Sequence, residues 1–128
     1  MDKLIEILSS KQAQKIVILV GAGISVASGI PDFRSPKVGL YASIKDTAAL
    51  HNKSATFVFE LKVFMKDPRP FWWIFCKMWP KTAQALPTPF HFFIKLLDCH
   101  NLLLRCYSQN VDGLEKVAGV PHDKVINA

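Results

Sequence analysis

The first part of this chain contains two different hydrophobic patterns, a helical spacing and then a continuous apolar run. Near the N-terminus, Leu4, Ile5 and Leu8 recur at helical spacing, which predicts a short amphipathic helix ending near Ser10. The run that follows, KIVILVG (15–21), is apolar, rich in β-branched residues and closed by glycine. Such a run is typical of a strand that is buried on both faces of a parallel sheet.

The middle of the chain predicts a long loop and then helices. Residues 29–53 are rich in Gly, Pro, Ser, Lys and Asn and show no period, so we expect a long loop. Helices are predicted where a capping residue precedes an apolar pattern, at Ser54, Asp67 and Thr88. The first of these has an apolar face made of Phe57, Leu61 and Phe64.

The last part predicts a second strand at residues 102–107 and a helix from about Gly113. The order strand, helices, strand, helix is typical of an α/β fold, in which helices flank a parallel sheet. No internal repeat or low-complexity segment interrupts this order.

Composition indicates one globular domain and limits the classes of partner. The chain has 128 residues, half of them apolar, and a net charge of +6. Its Lys and Arg residues are scattered, so we expect a solvated basic surface and no specific nucleic-acid partner. The apolar run FWWIFC is far shorter than the ~20 residues of a membrane span. The N-terminus also lacks a signal-peptide core. We therefore expect no membrane partner and an intracellular protein, cytoplasmic or nuclear.

The cysteines are Cys76, Cys99 and Cys106, and none of them forms a Cys-x-x-Cys pair. Their odd number and loose spacing argue against a disulfide framework and against a zinc site. Each lies in an apolar segment, so we expect three buried thiols.

A glycine-rich stretch, VGAGISVASGIPDFRSP (20–36), follows the first strand directly. Gly21 and Gly23 permit a tight turn and let a phosphate approach backbone N–H groups. A helix opening behind them would direct its positive end at the same phosphate. However, Val26 stands where the dinucleotide fingerprint has its third glycine. The pattern alone therefore fits either a dinucleotide site or an ordinary strand-to-helix turn.

Further along this stretch, Asp32 and Arg34 are two residues apart and would share one side of an extended loop. The arginine offers a planar fork to a phosphate, a ribose hydroxyl or a carboxylate. The alternative is a surface ion pair, which contributes little.

Two blocks, GAGISVASGIPDFRSPKVGLY and YSQNVDGLEKVAGV, resemble the motifs of the sirtuin family, the NAD-dependent protein-lysine deacylases. The resemblance extends from about Lys15 to Ala128 and implies a Rossmann-like parallel sheet flanked by helices. It makes residues 1–128 a partial NAD-binding domain. Its parts are a glycine turn and cofactor loop (15–41), a helical segment (54–99), and a second strand with its motif and following helix (102–128).

The resemblance also implies a set of NAD contacts. Arg34 would help to hold the reactive cofactor, while Asp112 would meet the nicotinamide carboxamide and act with Asn110 at the catalytic end. For Asn110 the alternative is a turn-forming asparagine after a strand. The implied cofactor-binding residues are Gly21, Ala22, Gly23, Ser25, Ile30, Asp32, Phe33, Arg34, Gln109, Asn110 and Asp112.

The reaction implied by the resemblance is an acyl transfer, not a hydride transfer. The acyl-lysine carbonyl oxygen attacks the nicotinamide ribose, nicotinamide leaves, and the acyl group ends on the NAD-derived ribose. The implied partners are NAD and an acyl-lysine protein or peptide, with the acyl group and the protein left open.

The chain departs from the family pattern at VPHDKVINA, its last nine residues. In sirtuins a stretch resembling VINA is followed by a His-Gly pair that carries the general base, and none of the histidines here holds that position. These are His51, His91, His100 and His122. Among them His91 lies between phenylalanines, and we expect it to be structural.

The later strands and the zinc module with its two cysteine pairs are also missing, so no metal ligands are expected here. We therefore expect an incomplete core, inactive by itself, or alternatively a non-catalytic module that binds NAD or a partner. Whether the truncation is natural stays open. An incomplete core leaves a sheet edge and an apolar face uncovered, and we expect the aromatic segment 71–79 to be helix core in the complete protein and exposed here.

Overall fold

The computed structural model describes residues 2–10, 13–37, 39–44 and 56–128. The chain divides into two compact units. The sheet unit consists of Met1–Ser28 and Leu86–Ala128, and the helical unit of Gly29–Ala85. In chain order the elements are α1 (Asp2–Ser9), β1 (Ile16–Val20), α2 (Leu40–Ile44), α3 (Leu61–Lys66), α4 (Arg69–Ala83), α5 (Pro89–Cys99), β2 (Leu103–Ser108), α6 (Leu114–Val117) and β3 (Val125–Asn127).

The sheet unit contains a parallel sheet with the strand order β1-β2-β3. Ile18 pairs with Cys106, and Cys106 pairs with Val125 on the other side. The predicted α/β class with a parallel sheet is therefore confirmed. Sequence patterning missed β3, which is too short to show a period. A tertiary contact holds its start, because Lys124 Nζ donates to Asp98 Oδ1 at 2.8 Å, and Asp98 lies on α5.

One face of the sheet is covered by α5, whose N-cap is Thr88, as predicted. Ile94 and Leu97 of this helix pack with Leu103 and Cys106 of β2. Burying these side chains removes apolar surface from water and supplies most of the stabilisation of this layer. The complete buried cluster is Val20, Ile94, Leu97, Leu103, Cys106, Val120 and Val125.

The opposite face of the sheet is apolar and exposed. The strand register aligns Leu19 with Tyr107 and Tyr107 with Ile126, and their exposed fractions are 67%, 39% and 38%. Val17 is exposed as well. The prediction that β1 is buried on both faces was therefore wrong, because the helices among the described residues pack against one face and leave Val17 and Leu19 exposed. The uncovered apolar face expected of an incomplete core is present.

The helical unit has a core of its own, and part of it lies in a segment predicted to be a loop. Leu40 and Ile44 of α2 pack with Val58 and Ile74. The prediction of a loop over residues 29–53 was thus wrong at α2, whose apolar residues are recruited by tertiary contact. Residues 38 and 45–53 of that segment lie outside the described residues.

The helix predicted from Ser54 is interrupted. Ser54 lies outside the described residues, a 3-10 turn spans Phe57–Phe59, and Glu60 has an extended backbone with ψ of 127° before α3 begins. Leu61 is exposed and Phe57 is half-buried, so the predicted apolar face does not exist as one surface. The reason is that Val58, at the turn, is the residue that enters the core.

Helix α4 begins at Arg69, with Pro68 and not the predicted Asp67 as its N-cap. Asp67 Oδ1 accepts the backbone N–H of Arg69 at 3.1 Å, and only Ile74 of the helix is buried. Edge-to-face and stacked rings follow one another along the segment 71–79. Its three tryptophans are exposed, so this segment forms both a core contact and an exposed aromatic surface.

The three thiols are free, and only one of them lies as predicted. Cys106 is buried in the sheet, whereas Cys76 and Cys99 are exposed. The prediction of three buried thiols was wrong because Cys76 lies on the solvent side of α4 and Cys99 at the last position of α5. In the described ranges, every helix is too short or too polar to span a bilayer.

Candidate functional site

Polar residues of the sheet unit gather at the carboxyl edge of the sheet. Gly21 follows β1 and Gln109 follows β2, and the two strands are parallel, so their ends meet at one edge. The backbone N–H of Gln109 donates to the carbonyl of Val20 at 3.0 Å. Parallel sheets commonly bind ligands at this edge.

The glycine turn is built from two 3-10 turns, Ala22–Ile24 and Val26–Ser28. The first closes with a bond from Ser25 N–H to Ala22 O, and the second with one from Ser28 N–H to Ser25 O, both at 3.0 Å. The helix predicted to open behind the glycines is therefore absent from this stretch. Each turn closes over three residues, and Gly29, which follows the second turn, has a φ of +84° in the left-handed region.

The backbone at Gly23 is open to approach. A Cβ at this residue would meet no atom within 4 Å, and its φ lies outside the left-handed region. Neither packing within the protein nor backbone strain therefore requires a glycine there. An open glycine on a turn at the carboxyl edge fits the close approach of a ligand to the main chain.

Ser25, Asn110 and Asp112 form one hydrogen-bonded group. The buried Ser25 Oγ donates to Asp112 Oδ2 at 2.7 Å. Asn110 Nδ2 donates to the carbonyl of Gly21 at 3.1 Å and to Ser25 Oγ at 3.4 Å. Asp112 Oδ1 accepts the backbone N–H of Leu114 and so starts α6. Asn110 thus joins the two strand ends, which a turn-forming asparagine alone would not do.

A second group of polar residues lies beneath the first. Glu115 is buried and accepts a hydrogen bond from Ser108 Oγ at 2.6 Å, while Ser108 Oγ accepts the N–H of Asn110. Sequence reasoning missed both residues, since a serine inside a strand and a glutamate at a helix start carry no distinctive signal. Their role follows from burial, because buried polar groups require partners.

Thr88 and His91 complete this second group. They form the capping box of α5, in which His91 Nδ1 accepts the Thr88 N–H at 3.0 Å. Thr88 Oγ1 donates to the carbonyl of Ile24 at 2.9 Å, which ties α5 to the glycine turn. Burial lowers the pKa of His91, while the charges of Glu115 and Asp112 act in the opposite direction. The capping contact fits the structural role expected for this histidine.

The remaining predicted residues belong to the helical unit. Asp32 accepts hydrogen bonds from Ser35 N–H and Ser35 Oγ, and so organises its own loop. Phe33 and Arg34 are exposed, whereas Ile30 is half-buried. Among the described residues, the ion pairs do not include one between Asp32 and Arg34. The surface-ion-pair alternative therefore does not describe this loop.

Seven of the predicted residues thus share the carboxyl edge of the sheet unit, and the other four lie in the loop of the helical unit. The first set is Gly21, Ala22, Gly23, Ser25, Gln109, Asn110 and Asp112. The second set is Ile30, Asp32, Phe33 and Arg34.

The family model and the related proteins that match this chain indicate the same family. The Sir2 family model matches residues 21–128. The NAD-dependent deacetylase sir2A of Dictyostelium discoideum is 42% identical over 99% of this chain and 24% of its own length. The NAD-dependent protein deacetylase hst2 of Schizosaccharomyces pombe is 41% identical over all of this chain and 37% of its own length.

A vertebrate relative gives the same result. The NAD-dependent protein deacetylase sirtuin-2 of Danio rerio is 41% identical over all of this chain and 32% of its own length. The chain thus spans between about a quarter and somewhat over a third of the curated relatives it matches. Because the family model covers residues 21–128, well over half of the sequence, the chain belongs to the Sir2 family.

Proposed function

We propose that this chain is the NAD-binding part of a sirtuin-type protein-lysine deacylase, which transfers an acyl group from lysine to the NAD-derived ribose and releases nicotinamide. The observation that carries the proposal is the group formed by Ser25, Asn110 and Asp112 beside the glycine turn. Residues from both family motifs meet there, although they are far apart in sequence. The relatives named above are NAD-dependent deacetylases.

The glycine turn supports the pyrophosphate contact. Gly23 has free space around its Cα, so the main chain can be approached without a clash. The N–H groups at the start of a turn can donate to phosphate oxygens. Gly21 and Ala22 would line the same contact, with Ser25 behind them.

Asp112 and Asn110 suit the nicotinamide end. A carboxamide offers one acceptor and two donors, and it is recognised by groups with a matched pattern. Asp112 is held by the Ser25 hydroxyl and the Leu114 N–H, which orient its carboxylate before any ligand arrives. Asn110 and Gln109 supply amide groups at the same edge.

In the helical unit, the loop at Asp32 supports a second set of contacts. The bonds from Ser35 hold the Asp32 carboxylate inside its loop, so we assign Asp32 to shaping the loop and Arg34 to contacting the cofactor. Phe33 and Ile30 would pack against the ligand. Bound NAD would supply the ribose carbon that receives the acyl oxygen.

We infer that no histidine in the part of the chain that the structure describes supplies the general base. His91 is fully buried. His100 caps the far end of α5, and 11 residues of helix separate it from the Thr88 end, about 16 Å. His122 precedes β3 and so lies at the opposite edge of the sheet. His51 lies outside the described residues.

The position of β3 supports the family pattern, in which the general base comes directly after a stretch resembling VINA (125–128). β3 is parallel to β2, and the backbone N–H of Ala128 donates to the carbonyl of Ser108 at 2.8 Å. Asn127 and Ala128 therefore lie at the carboxyl edge, beside the residues that we assign to nicotinamide. A non-catalytic module that binds NAD would share this site but would need no base.

Calorimetric titration of NAD into the 128-residue chain tests the cofactor assignment. Gly23→Val and Arg34→Ala are each expected to weaken NAD binding about tenfold or more. Gly23→Val blocks the approach of the pyrophosphate to the main chain, and Arg34→Ala removes a charge-assisted hydrogen bond to the cofactor. Arg69→Ala removes the same charge from an exposed side chain and is the matched control. Undiminished affinity in a folded Gly23→Val variant would refute the pyrophosphate contact.

Activity is tested by replacing the matched segment of the S. pombe hst2 deacetylase with residues 1–128. This chimera is expected to release nicotinamide from NAD in the presence of an acetyl-lysine peptide, and the isolated 128-residue chain is not. A folded chimera that binds NAD without turnover would favour the non-catalytic module. Turnover by the isolated chain would contradict the inference about the base.

A further inference from the structure

The contacts of His91 fix which ring nitrogen carries the proton. A backbone N–H can only donate, so Nδ1 must accept from Thr88 at 3.0 Å. Thr88 Oγ1 lies 2.8 Å from the same nitrogen, but its proton is donated to the carbonyl of Ile24. A neutral ring with an unprotonated Nδ1 must carry its hydrogen on Nε2.

The Nε2–H is therefore a buried donor, and its surroundings are acidic. Among the described residues, it is the one buried side-chain nitrogen or oxygen without a hydrogen-bond partner. A ring nitrogen of His91 and one carboxylate oxygen each of Asp112 and Glu115 lie within 4.8 Å of one another. Leaving such a donor unsatisfied is costly, whereas a carboxylate is a strong acceptor for it.

One imidazole and two carboxylates also resemble a metal site, but the ring proton opposes this interpretation. A metal bound at Nε2 needs the lone pair of that nitrogen, and the proton must then move to Nδ1. A proton on Nδ1 would face the Thr88 N–H. This N–H would lose its acceptor, and the capping box would be broken. The geometry thus favours a donor and not a ligand.

We propose that His91 is a positioning residue: its buried Nε2–H makes no hydrogen bond in the structure, but the attraction between this N–H and the nearby carboxylates of Glu115 and Asp112 keeps both in place beneath the carboxyl edge of the sheet. Through Ser108, Glu115 supports the N–H of Asn110, and Asp112 carries the Ser25 contact. As far as Asp112 contacts nicotinamide, this role rests on the function proposed above. The capping box of α5 would then set the geometry of the nicotinamide end.

The first test determines the protonation state of the His91 ring in the unaltered 128-residue chain. Two-bond nitrogen–proton NMR spectra of ¹⁵N-histidine-labelled protein distinguish the two neutral tautomers and the cation. The expected result at neutral pH is the tautomer with hydrogen on Nε2. Hydrogen on Nδ1, or a cationic ring, would overturn the proposal. The spectrum recorded with added Zn²⁺ should be unchanged, and a shift of Nε2 typical of metal binding would overturn it as well.

The second test separates capping from positioning with two matched variants. His91→Asn keeps an acceptor near the position of Nδ1 but removes the distal donor. His91→Gln keeps a donor near the position of Nε2. The readout is hydrogen exchange of the Leu114 amide, which Asp112 Oδ1 accepts, against that of Phe92 on α5.

If His91 positions the carboxylates, Leu114 exchanges about tenfold faster in the Asn variant and is restored in the Gln variant. A purely capping role predicts instead that Leu114 exchange is unchanged in both variants and that Phe92 exchanges faster only in the Gln variant, which lacks the acceptor near Nδ1. That result would refute positioning. Because neither test uses NAD, a failure of NAD to bind would count against the proposed function alone.

Discussion

Ser25 Oγ donates a hydrogen bond to Asp112 Oδ2 at 2.7 Å, although 87 residues separate the two along the chain. One residue belongs to the glycine turn after β1 and the other to the motif after β2. The contact forms only when the two strands pair in their observed register. It is therefore a sensitive reporter of whether the site is assembled.

Ser25→Ala is expected to lower the free energy of unfolding of the sheet unit by about 1–3 kcal/mol, because the partly buried carboxylate of Asp112 loses a donor. Global hydrogen exchange of β2 amides measures this change, and Ser9→Ala, on an exposed helix face, is the control. The control should change stability by less than about 0.5 kcal/mol. An equally small effect of Ser25→Ala would mean that water replaces the hydroxyl without cost.

Gly39→Ala is expected to destabilise the helical unit by about 1–3 kcal/mol through overpacking. A Cβ at Gly39 would lie 2.6 Å from Ser35 N and 3.0 Å from Asp32 Oδ1, so the loop must move. All three tryptophans lie on α4, and urea unfolding followed by tryptophan fluorescence therefore reports on this unit. Gly23→Ala, in the sheet unit, is the control for the substitution itself, since nothing lies within 4 Å of its Cβ position, and it should leave the tryptophan transition unchanged. Equal stability of the two variants would contradict the loop geometry.

The stability of the sheet unit is expected to fall in the pH range below about 6.5, the ordinary pKa of histidine, because of His91. Burial lowers the pKa of His91 in the folded state, so below the unfolded-state pKa the unfolded chain takes up a proton that the folded chain does not. The nearby charged groups, Glu115 and Asp112, oppose but do not reverse this shift. Above that pH range, the contribution of His91 to the stability of the sheet unit is fully present.

Urea unfolding followed by far-ultraviolet circular dichroism measures this pH dependence, with His91→Gln as the comparison. The variant is expected to be less stable at neutral pH but to lose less stability on acidification. If both proteins show the same slope over this range, the buried ring is not the group responsible.

Thiol reactivity should separate the three cysteines. Burial raises the pKa of Cys106 to about 11, and its side chain is inaccessible, so it forms little thiolate near neutral pH. The exposed Cys76 and Cys99 are expected to react rapidly with an aromatic disulfide reagent, and Cys106 only after unfolding. Rapid reaction of all three thiols in the folded protein would indicate that β2 opens readily.

Sequence patterning predicted the elements whose signals are local. The run IVILV forms β1 because β-branched residues favour a strand, and Thr88 with Pro89 starts α5 because a cap and a proline suit the first turn. Sequence patterning failed where tertiary contacts determine the local structure. Glu60 breaks a predicted helix because Val58 is drawn into a core, and α2 forms within a segment that has no period of its own.

The sequence by itself determined the family and the parallel α/β class, and it predicted the residues of the candidate site, because motif, strand propensity and capping are properties of neighbouring residues. Only the tertiary structure decided which groups meet. The contacts from Ser25 to Asp112 and from Asn110 to Gly21, and the burial of Glu115 near His91, depend on the register of β1 against β2 and on how α5 packs on the sheet. Those distances are set by the packing of apolar side chains, which no local pattern specifies.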